Sequence, residues 1–396
     1  MDARYLMLLL LLLRRRRNMF EFNRARPRRF GIHPLNRKRC KYGYYESLLP
    51  VLKSHPEKFH EFLRIDLVSF NTLLAIISPS LTKNSKRPSI SAEERLMVTL
   101  RYLATGESFR SLAFQFRLGF RTVSNIVAES CEAIRLHLAP KYLKLHQQPK
   151  NGIELLQSSG KSGILRIQLL NKGAIDGKHI LLKAPTNTGS LHYNYKDVGN
   201  YGKDSDGGIF GKCSFKEALD RKVLNLPEAK NLPGTDVFTP AFIVRDAAFP
   251  LRDNIMRPFP GNELDYGKRI FNYRLSRARR VIENFFGILS VKWRVLLSRI
   301  ETSVEVSDKI VWAVLALHNF LIMEGKLNTA ALADTGDENN GPWRTVVAPL
   351  LAMPQQQPMM RRCTASGKEV RQKLVDYYTN VGAVEWQDAA IGNNEM

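Results

Sequence analysis

Three acidic motifs constrain what this chain can fold into. Asp176 stands in Gly-Ala-Ile-Asp-Gly-Lys-His, Asp246 in Phe-Ile-Val-Arg-Asp-Ala-Ala-Phe-Pro, and Glu283 in Leu-Ser-Arg-Ala-Arg-Arg-Val-Ile-Glu-Asn-Phe-Phe-Gly. The first two lie at or near the ends of short apolar runs that read as buried strands: Ala174 and Ile175 with Ile180 to Leu182, and Ala241 to Val244. The third lies mid-way along an amphipathic helix. There Phe271, Leu275, Ala278, Ile282, Phe285 and Leu289 recur at helical spacing, and the other face carries Arg274, Arg277, Arg280, Glu283 and Asn284. Acids at strand ends beside an acid-bearing helix describe a mixed α/β fold. Such carboxylates can converge on one hard cation, or on a pair about 3.5 to 4 Å apart, which polarises a phosphodiester and lowers the pKa of a bound water. Each acid also has a plainer reading. Asp followed by Gly is ordinary turn chemistry, and Glu283 is placed for an i,i+4 pair with Arg279.

The net charge of +23 points to a polyanionic partner, and without an amphipathic lipid-binding pattern the reading is nucleic acid rather than membrane. About half of the excess sits in a leading arm, where thirteen Lys and Arg through Tyr45 face only Asp2 and Glu21. Arg14 to Arg17 and Arg37-Lys38-Arg39-Cys40-Lys41 read as nuclear-import or phosphate-binding runs, a solvated arm being the plainer alternative. The apolar run Leu8 to Leu13 is too short to span a bilayer and ends in arginines rather than a small cleavable site. The four cysteines are far apart and without a CxxC pair, which excludes a zinc knuckle or disulfide framework and suits a reducing compartment. Gly160-Lys161-Ser162 is not a P-loop, because Leu155 stands where the first glycine belongs.

Five segments are expected: a basic arm (1–45), a helical domain (46–150), a catalytic domain (151–325), a Gly-, Pro-, Asn- and Gln-rich linker (326–363), and a closing helix and tail (364–396). In the helical domain Ser91 and Glu94 form a capping box, Leu96, Leu100 and Leu103 share a face, and Gly106 stops the helix. A second helix follows Ser108, with Leu112, Ala113 and Phe116 inward. After Gly119, a third helix capped by Thr122 buries Val123, Ile126, Val127 and Ile134. This pattern resembles a helix-turn-helix, with Arg121, Ser124 and Asn125 placed to reach phosphates and base edges; a plain three-helix bundle is the alternative. His318, in a last helix from about Asp308 to Ile322, reads as a satisfied core histidine. Trp386 reads as an anchor that docks the tail on the core.

The motifs also come in a familiar order. Ala-Ile-Asp-Gly-Lys-His, Ser-Asp-Gly-Gly-Ile-Phe (205–210), Arg-Asp-Ala-Ala-Phe-Pro-Leu-Arg (245–252) and the 269–287 helix resemble those of the PIF/Harbinger transposases and the nucleases derived from them. The resemblance extends to Ile-Ser-Ala-Glu-Glu-Arg-Leu (90–96) and Ala-Leu-His-Asn-Phe-Leu (316–321), so it spans most of residues 30 to 325. It implies a ribonuclease H-like core, a five-stranded mixed sheet flanked by helices. In that core Asp176, Asp206, Asp246 and Glu283 would hold Mg²⁺ or Mn²⁺, with Asp176, Asp246 and Glu283 as the catalytic DDE set. It further implies DNA as substrate, a Myb-like DNA-binding partner protein, and a nuclear location with the cytoplasm as a second possibility; Arg277 and Arg280, on the polar face of the 269–287 helix, are placed by their spacing to hold DNA phosphates. Asp206 also suits turn and helix-cap chemistry.

One departure stands out. Related chains place two apolar strands between a Tyr-Asn-Tyr-Lys like Tyr193 to Lys196 and an Asp-Val-Gly like Asp197 to Gly199, and here those motifs touch. No apolar run between Lys183 and Val237 is long enough to supply the pair, so the core is expected to lack an edge strand pair. The leading functional reading is a two-metal-ion DNA endonuclease; the alternative is a catalytically impaired DNA-binding protein derived from a transposase. An RNA-binding module lacks the aromatic and glycine motifs such modules carry. The missing pair generates a prediction: a two-strand insert between Lys196 and Asp197 raises the soluble yield and sharpens the thermal transition, because it covers an exposed strand edge. A cooperative transition in the unaltered chain, unimproved by the insert, would count against the missing pair.

Overall fold

The computed structural model describes residues 31–83, 89–143, 180–182, 214–221, 228–247, 249–334, 341–351 and 363–392. Asp176, Asp206, the 193–199 junction and most of the basic arm lie outside them. The N-terminal part is helical, as its periodicity predicts. Short helices α1 (Pro34–Arg37), α2 (Arg39–Tyr42), α3 (Tyr44–Ser47) and α4 (Leu49–Lys53) lead into α5 (Pro56–Leu63) and α6 (Leu67–Leu81). Then come α7 (Ala92–Thr105), α8 (Phe109–Gln115) and α9 (Phe120–Tyr142). Ser91 caps α7 by accepting from the Glu94 amide at 3.1 Å, and Ser108 caps α8 through the Ser111 amide at 3.2 Å. Gly106 ends α7 in the left-handed region, and a Cβ there would meet Ser298 Oγ at 2.4 Å, so the same glycine lets α7 touch the later part of the chain. The third helix begins two residues before the expected Thr122 cap: Gly119, in extended backbone, takes the N-cap position and Thr122 falls in the first turn.

The second half mixes helices with little strand. Helix α10 (Ser214–Asp220) precedes the two-residue hairpin β1 (Lys230–Asn231) and β2 (Phe238–Thr239). The expected strand over Ala241 to Val244 is present as β3 (Ile243–Val244), which pairs in parallel with β4 (Ile255–Met256) in the register Ile243 to Ile255 and Val244 to Met256. Leu182, from the other expected apolar run, makes an isolated parallel bridge to Ile300. Among the described residues the sheets are therefore two short pairs rather than a five-stranded sheet. The long helix α11 (Tyr266–Lys292) follows, capped by Asp265, and α12 (Val304–Met323) comes after a short 3₁₀ turn at Arg294–Leu297. Mixed helical content with few strands is compatible with a DDE nuclease domain.

The boundary expected near residue 150 is not a break in the core. One apolar cluster runs from Leu49 to Val375, because α9 packs along α12 over much of its length. Asn319 of the Ala-Leu-His-Asn-Phe-Leu motif donates to the Tyr142 carbonyl at 3.0 Å and so satisfies an orphan carbonyl at the end of α9. The Tyr142 ring meets Phe320 edge-on and its hydroxyl donates to Glu324. Helix α12 is long and apolar enough to cross a membrane, yet most of it is buried in this packing.

The 326–363 stretch is not only linker. Within it α13 (Pro342–Leu351) packs on α11, and Trp343 seats its ring on Gly287, where an added Cβ would lie 2.2 Å from ring carbons. Glycine is required there by contact rather than by φ. The closing helix, expected over Glu369 to Tyr378, runs over Ala365–Thr379 as α14, and a last turn α15 (Gln387–Ala390) follows Trp386; both contact α11. Gly287→Val should displace Trp343 and destabilise the chain by about 1–3 kcal/mol, and Trp343→Ala by about 3–5 kcal/mol. Denaturant unfolding with indole fluorescence checks both; a Gly287→Val chain of unchanged stability and emission would show that α13 is not docked there.

Candidate functional site

Asp246 lies two residues past the end of β3, and backbone bonds fix the approach to it: the Ile243 amide donates to Asn254 at 3.0 Å and the Arg245 amide to Met256 at 2.9 Å. The loop beyond is clamped by the buried Arg257, which donates to the carbonyls of Ala247 and Phe249 and to Cys363 Sγ. Arg245 is itself buried, its guanidinium 4.1 Å from the Phe249 ring. The outer arginine of the motif, Arg252, pairs with Asp220 at 2.5 Å. The words around Asp246 thus act mainly to hold its loop, leaving the carboxylate half-buried at the end of the strand.

Glu283 sits mid-way along α11, and α11 packs against β3, so the two described acids belong to adjoining elements. Its expected i,i+4 pair with Arg279 is present at 3.4 Å. A second cation arrives from α13: Arg344 lies 4.0 Å from Glu283 while making a two-pronged pair with the buried Asp334 at 2.6 and 2.8 Å. That Arg344 bond, with the Gly341 amide, holds the Asp334 carboxyl below its usual range. Next along α11, Asn284 accepts from Trp343 Nε1 at 2.8 Å and from the Asp334 amide at 3.1 Å. The Glu-Asn-Phe-Phe-Gly motif therefore has a structural job beside its acid: Asn284 and Gly287 together seat Trp343. Asp334, Trp343 and Arg344 went unnoticed in the sequence because they lie in a stretch whose composition reads as linker.

The expected phosphate-binding face of α11 is largely covered. Arg277 lies 3.8 Å and Arg274 5.3 Å from the Trp386 ring, and Arg274 is 4.9 Å from that of Tyr378. Tyr273 meets Trp386 edge-on, the Tyr266 hydroxyl donates to Asp388 at 2.6 Å, and Arg269 donates to the Ile391 carbonyl. Trp386 thus anchors the tail, using the arginine stripe as its seat. Arg280 lies close enough to Asp334 to help hold that carboxyl ionised. On α9, Arg121 and Asn125 are exposed and Ser124 half-buried, at i, i+3 and i+4 on one face at the start of the helix.

Asp176 and Asp206, the other two expected ligands, lie outside the described residues, and among the described residues no group of three or more His, Cys, Asp or Glu could hold a metal ion. The two described acids offer hard oxygen donors of the kind Mg²⁺ accepts from one or two carboxylates.

Residues 195–319 match a family described as DDE superfamily endonuclease, a segment that contains Asp206, Asp246, Glu283 and His318 and leaves Asp176 outside. This supports the superfamily and suggests a nuclease domain; endonucleases of that superfamily generally use divalent metals. Comparison with curated proteins and with solved structures gave no match.

His318 is a core histidine, but not a satisfied one. It is fully buried against Phe285, ring centroids 5.1 Å apart, and neither ring nitrogen has a hydrogen-bond partner among the described residues. Burial, with a smaller push from Lys292, lowers its pKa from 6.5 to about 3. The imidazole is neutral in the fold, so the unfolded chain takes up the proton first. Stability from this group is complete above the unfolded value near 6.5 and is lost as pH falls from there toward 3. At about pH 5 the loss should be about 2 kcal/mol. Urea unfolding of the parent and His318→Leu at about pH 7.5 and about pH 5 measures it: the variant should lose less stability on acidification. Equal losses in both chains would show that His318 is protonated in the fold.

Proposed function

We propose that this chain is a transposase-derived DNA endonuclease of the PIF/Harbinger type, with a ribonuclease H-like core. Asp176, Asp206, Asp246 and Glu283 would hold two divalent cations, Mg²⁺ or Mn²⁺. The observation that carries this reading is the placement of Asp246 at the end of β3 beside the helix that bears Glu283, within a segment matching the DDE endonucleases. Bound cations supply charge neutralisation on the phosphodiester and a lowered pKa for the attacking water. The protein's part is to fix the carboxylates. Ladder bonds to Asn254 and Met256, with the Arg257 clamp, set the Asp246 loop, and the packing of α11 on β3 sets Glu283. The α8–α9 helix-turn-helix, with Arg121, Ser124 and Asn125, would position the duplex. A nuclear location and a Myb-like partner complete the proposal.

A second reading, a DNA-binding protein with impaired catalysis, also has a specific observation behind it. Glu283 already has Arg279 and Arg344 beside it, so a cation at that carboxylate must compete with two guanidinium groups. Asp246→Asn and Glu283→Gln separate the readings, since each removes a ligand charge and little volume. Under the endonuclease reading, either substitution abolishes Mg²⁺- or Mn²⁺-dependent nicking of supercoiled DNA and leaves DNA affinity nearly unchanged. Nicking that persists at the parent rate in both variants would mean that the acids have been misassigned.

A further inference from the structure

The turn between α8 and α9 carries a feature that the acidic site does not use. Arg117 is one of two non-glycine residues with positive φ, at 51°, among the described residues. An arginine held in that region costs energy that the surrounding structure must over-determine, and such positions cluster where side chains are aimed at a task. Here the side chain is carried back over the N-terminal segment: Nη1 donates to the Leu35 carbonyl at 3.2 Å and the guanidinium lies 5.2 Å from the Tyr42 ring. The segment is itself pinned to the turn. Gly43 is buried, with an added Cβ 3.1 Å from the Phe116 carbonyl, and Tyr44 packs its ring on Phe116.

Between them these parts frame an open cleft of about 440 Å³, lined by Pro34, Leu35, Lys38, Tyr42 and Arg117. Among the described residues its lining holds two cations and no carboxylate. Lys41 approaches the Tyr42 ring at 5.3 Å, whereas Arg39 turns away toward Glu94 at 4.0 Å. A strained arginine, an exposed lysine and an exposed aromatic side chain in one concave, acid-free site describe a receptor for an anion larger than a single ion. Past the turn, the first residues of α9 continue the same chemistry with exposed Arg121, and Arg110 lies 5.2 Å from the exposed Phe120 ring.

We propose that this cleft binds the phosphodiester backbone of a DNA strand, Lys38 and Arg117 taking its charge. The inference rests on the reading that DNA is the ligand, and it extends the footprint from α9 onto helices α1 and α2. Helices α1 and α2 and the α8–α9 turn then work as two jaws of one clamp.

The test uses the full chain and a short labelled DNA duplex, with binding followed by fluorescence anisotropy in EDTA over a salt series. Lys38→Glu reverses one charge on an exposed side chain. Arg117→Gly removes the other and suits the left-handed backbone, so that folding is kept, and Arg117→Lys restores the charge alone. Lys373→Glu, on α14, is the control. The double variant Lys38→Glu/Arg117→Gly should bind about tenfold more weakly near physiological salt, with the log–log salt slope shallower by about two; Arg117→Lys should recover most of the loss. Affinity and slope matching the Lys373→Glu control would overturn the proposal. Two other outcomes would overturn DNA as the occupant: inorganic phosphate displacing the duplex at equal phosphate concentration, or tighter binding to an RNA strand with the same sensitivity to the double variant. Nicking in Mg²⁺ is scored separately. A chain that binds through the cleft and never cuts loses only the endonuclease reading, and a chain that cuts while the double variant binds normally loses only the cleft.

Discussion

The two-faced helix α11 is the element on which the rest of the C-terminal half depends. Its apolar stripe, Phe271, Leu275, Ile282, Phe285 and Leu289 among others, is buried, and β3, α13, α14 and α15 all pack on it. With only two-residue strand pairs among the described residues, ladder hydrogen bonds cannot organise this half of the chain; helix packing does. Buried side chains of this size contribute about 1.5–3 kcal/mol each relative to exposure, before the conformational entropy of ordering the helix is set against them. Glu283 is carried on an element that cannot shift without unpacking its neighbours.

The polar face of the same helix explains why the C-terminal residues fold back. A stripe of guanidinium groups has planar, weakly hydrated faces that stack well on aromatic rings. Trp386 and Tyr378 supply such rings to Arg274 and Arg277, and Asp334 supplies a carboxylate near Arg280. Apolar packing of Val370, Leu374 and Val375 joins α14 to the core that holds α11, and the cationic stripe adds the seat for the tail around Trp386.

Much of this was legible in the sequence, and the limits have physical causes. The helical periods around Leu96, Leu112, Ile126 and Ile282, the stop at Gly106 and the turn at Gly119 depend on local spacing and capping, which the chain writes within a few residues; they recur in the structure with a shift of three residues at the α9 cap, from Thr122 to Gly119. The docking of Trp386 was legible too, because a lone tryptophan beside a polar tail needs a partner. The stretch from 326 to 363 misled for the converse reason. Its composition is that of a loop, and helix α13 is fixed by contacts remote in sequence, Trp343 on Gly287 and Asn284, which no local pattern announces. His318 was placed correctly in the core, but whether its nitrogens find partners depends on what Phe285 and its neighbours present, and that is a property of the packing alone. Of the four acids, the structure places Asp246 and Glu283 on adjoining elements; Asp176 and Asp206 stand on sequence pattern.

The distribution of charge partners bears on where an anionic ligand would meet this protein. Arg274 and Arg277 are stacked on the tail, Arg279 is paired with Glu283, Arg280 lies by Asp334, and Arg344 is held by Asp334 at two points. A polyanion gains least from cations already so engaged, since it must either displace the existing partners or accept a weaker interaction. In the N-terminal helices and the α8–α9 turn Lys38, Lys41 and Arg121 are exposed, and among the described residues Arg117 is tied to a carbonyl and a ring. Counterion release on binding is proportional to the charges a protein can bring to phosphates, so the N-terminal jaws are the better-placed contributors to a long-range electrostatic attraction. The α11 stripe is then suited to a shorter-range role, holding the carboxylate of Glu283 in position through its pair with Arg279.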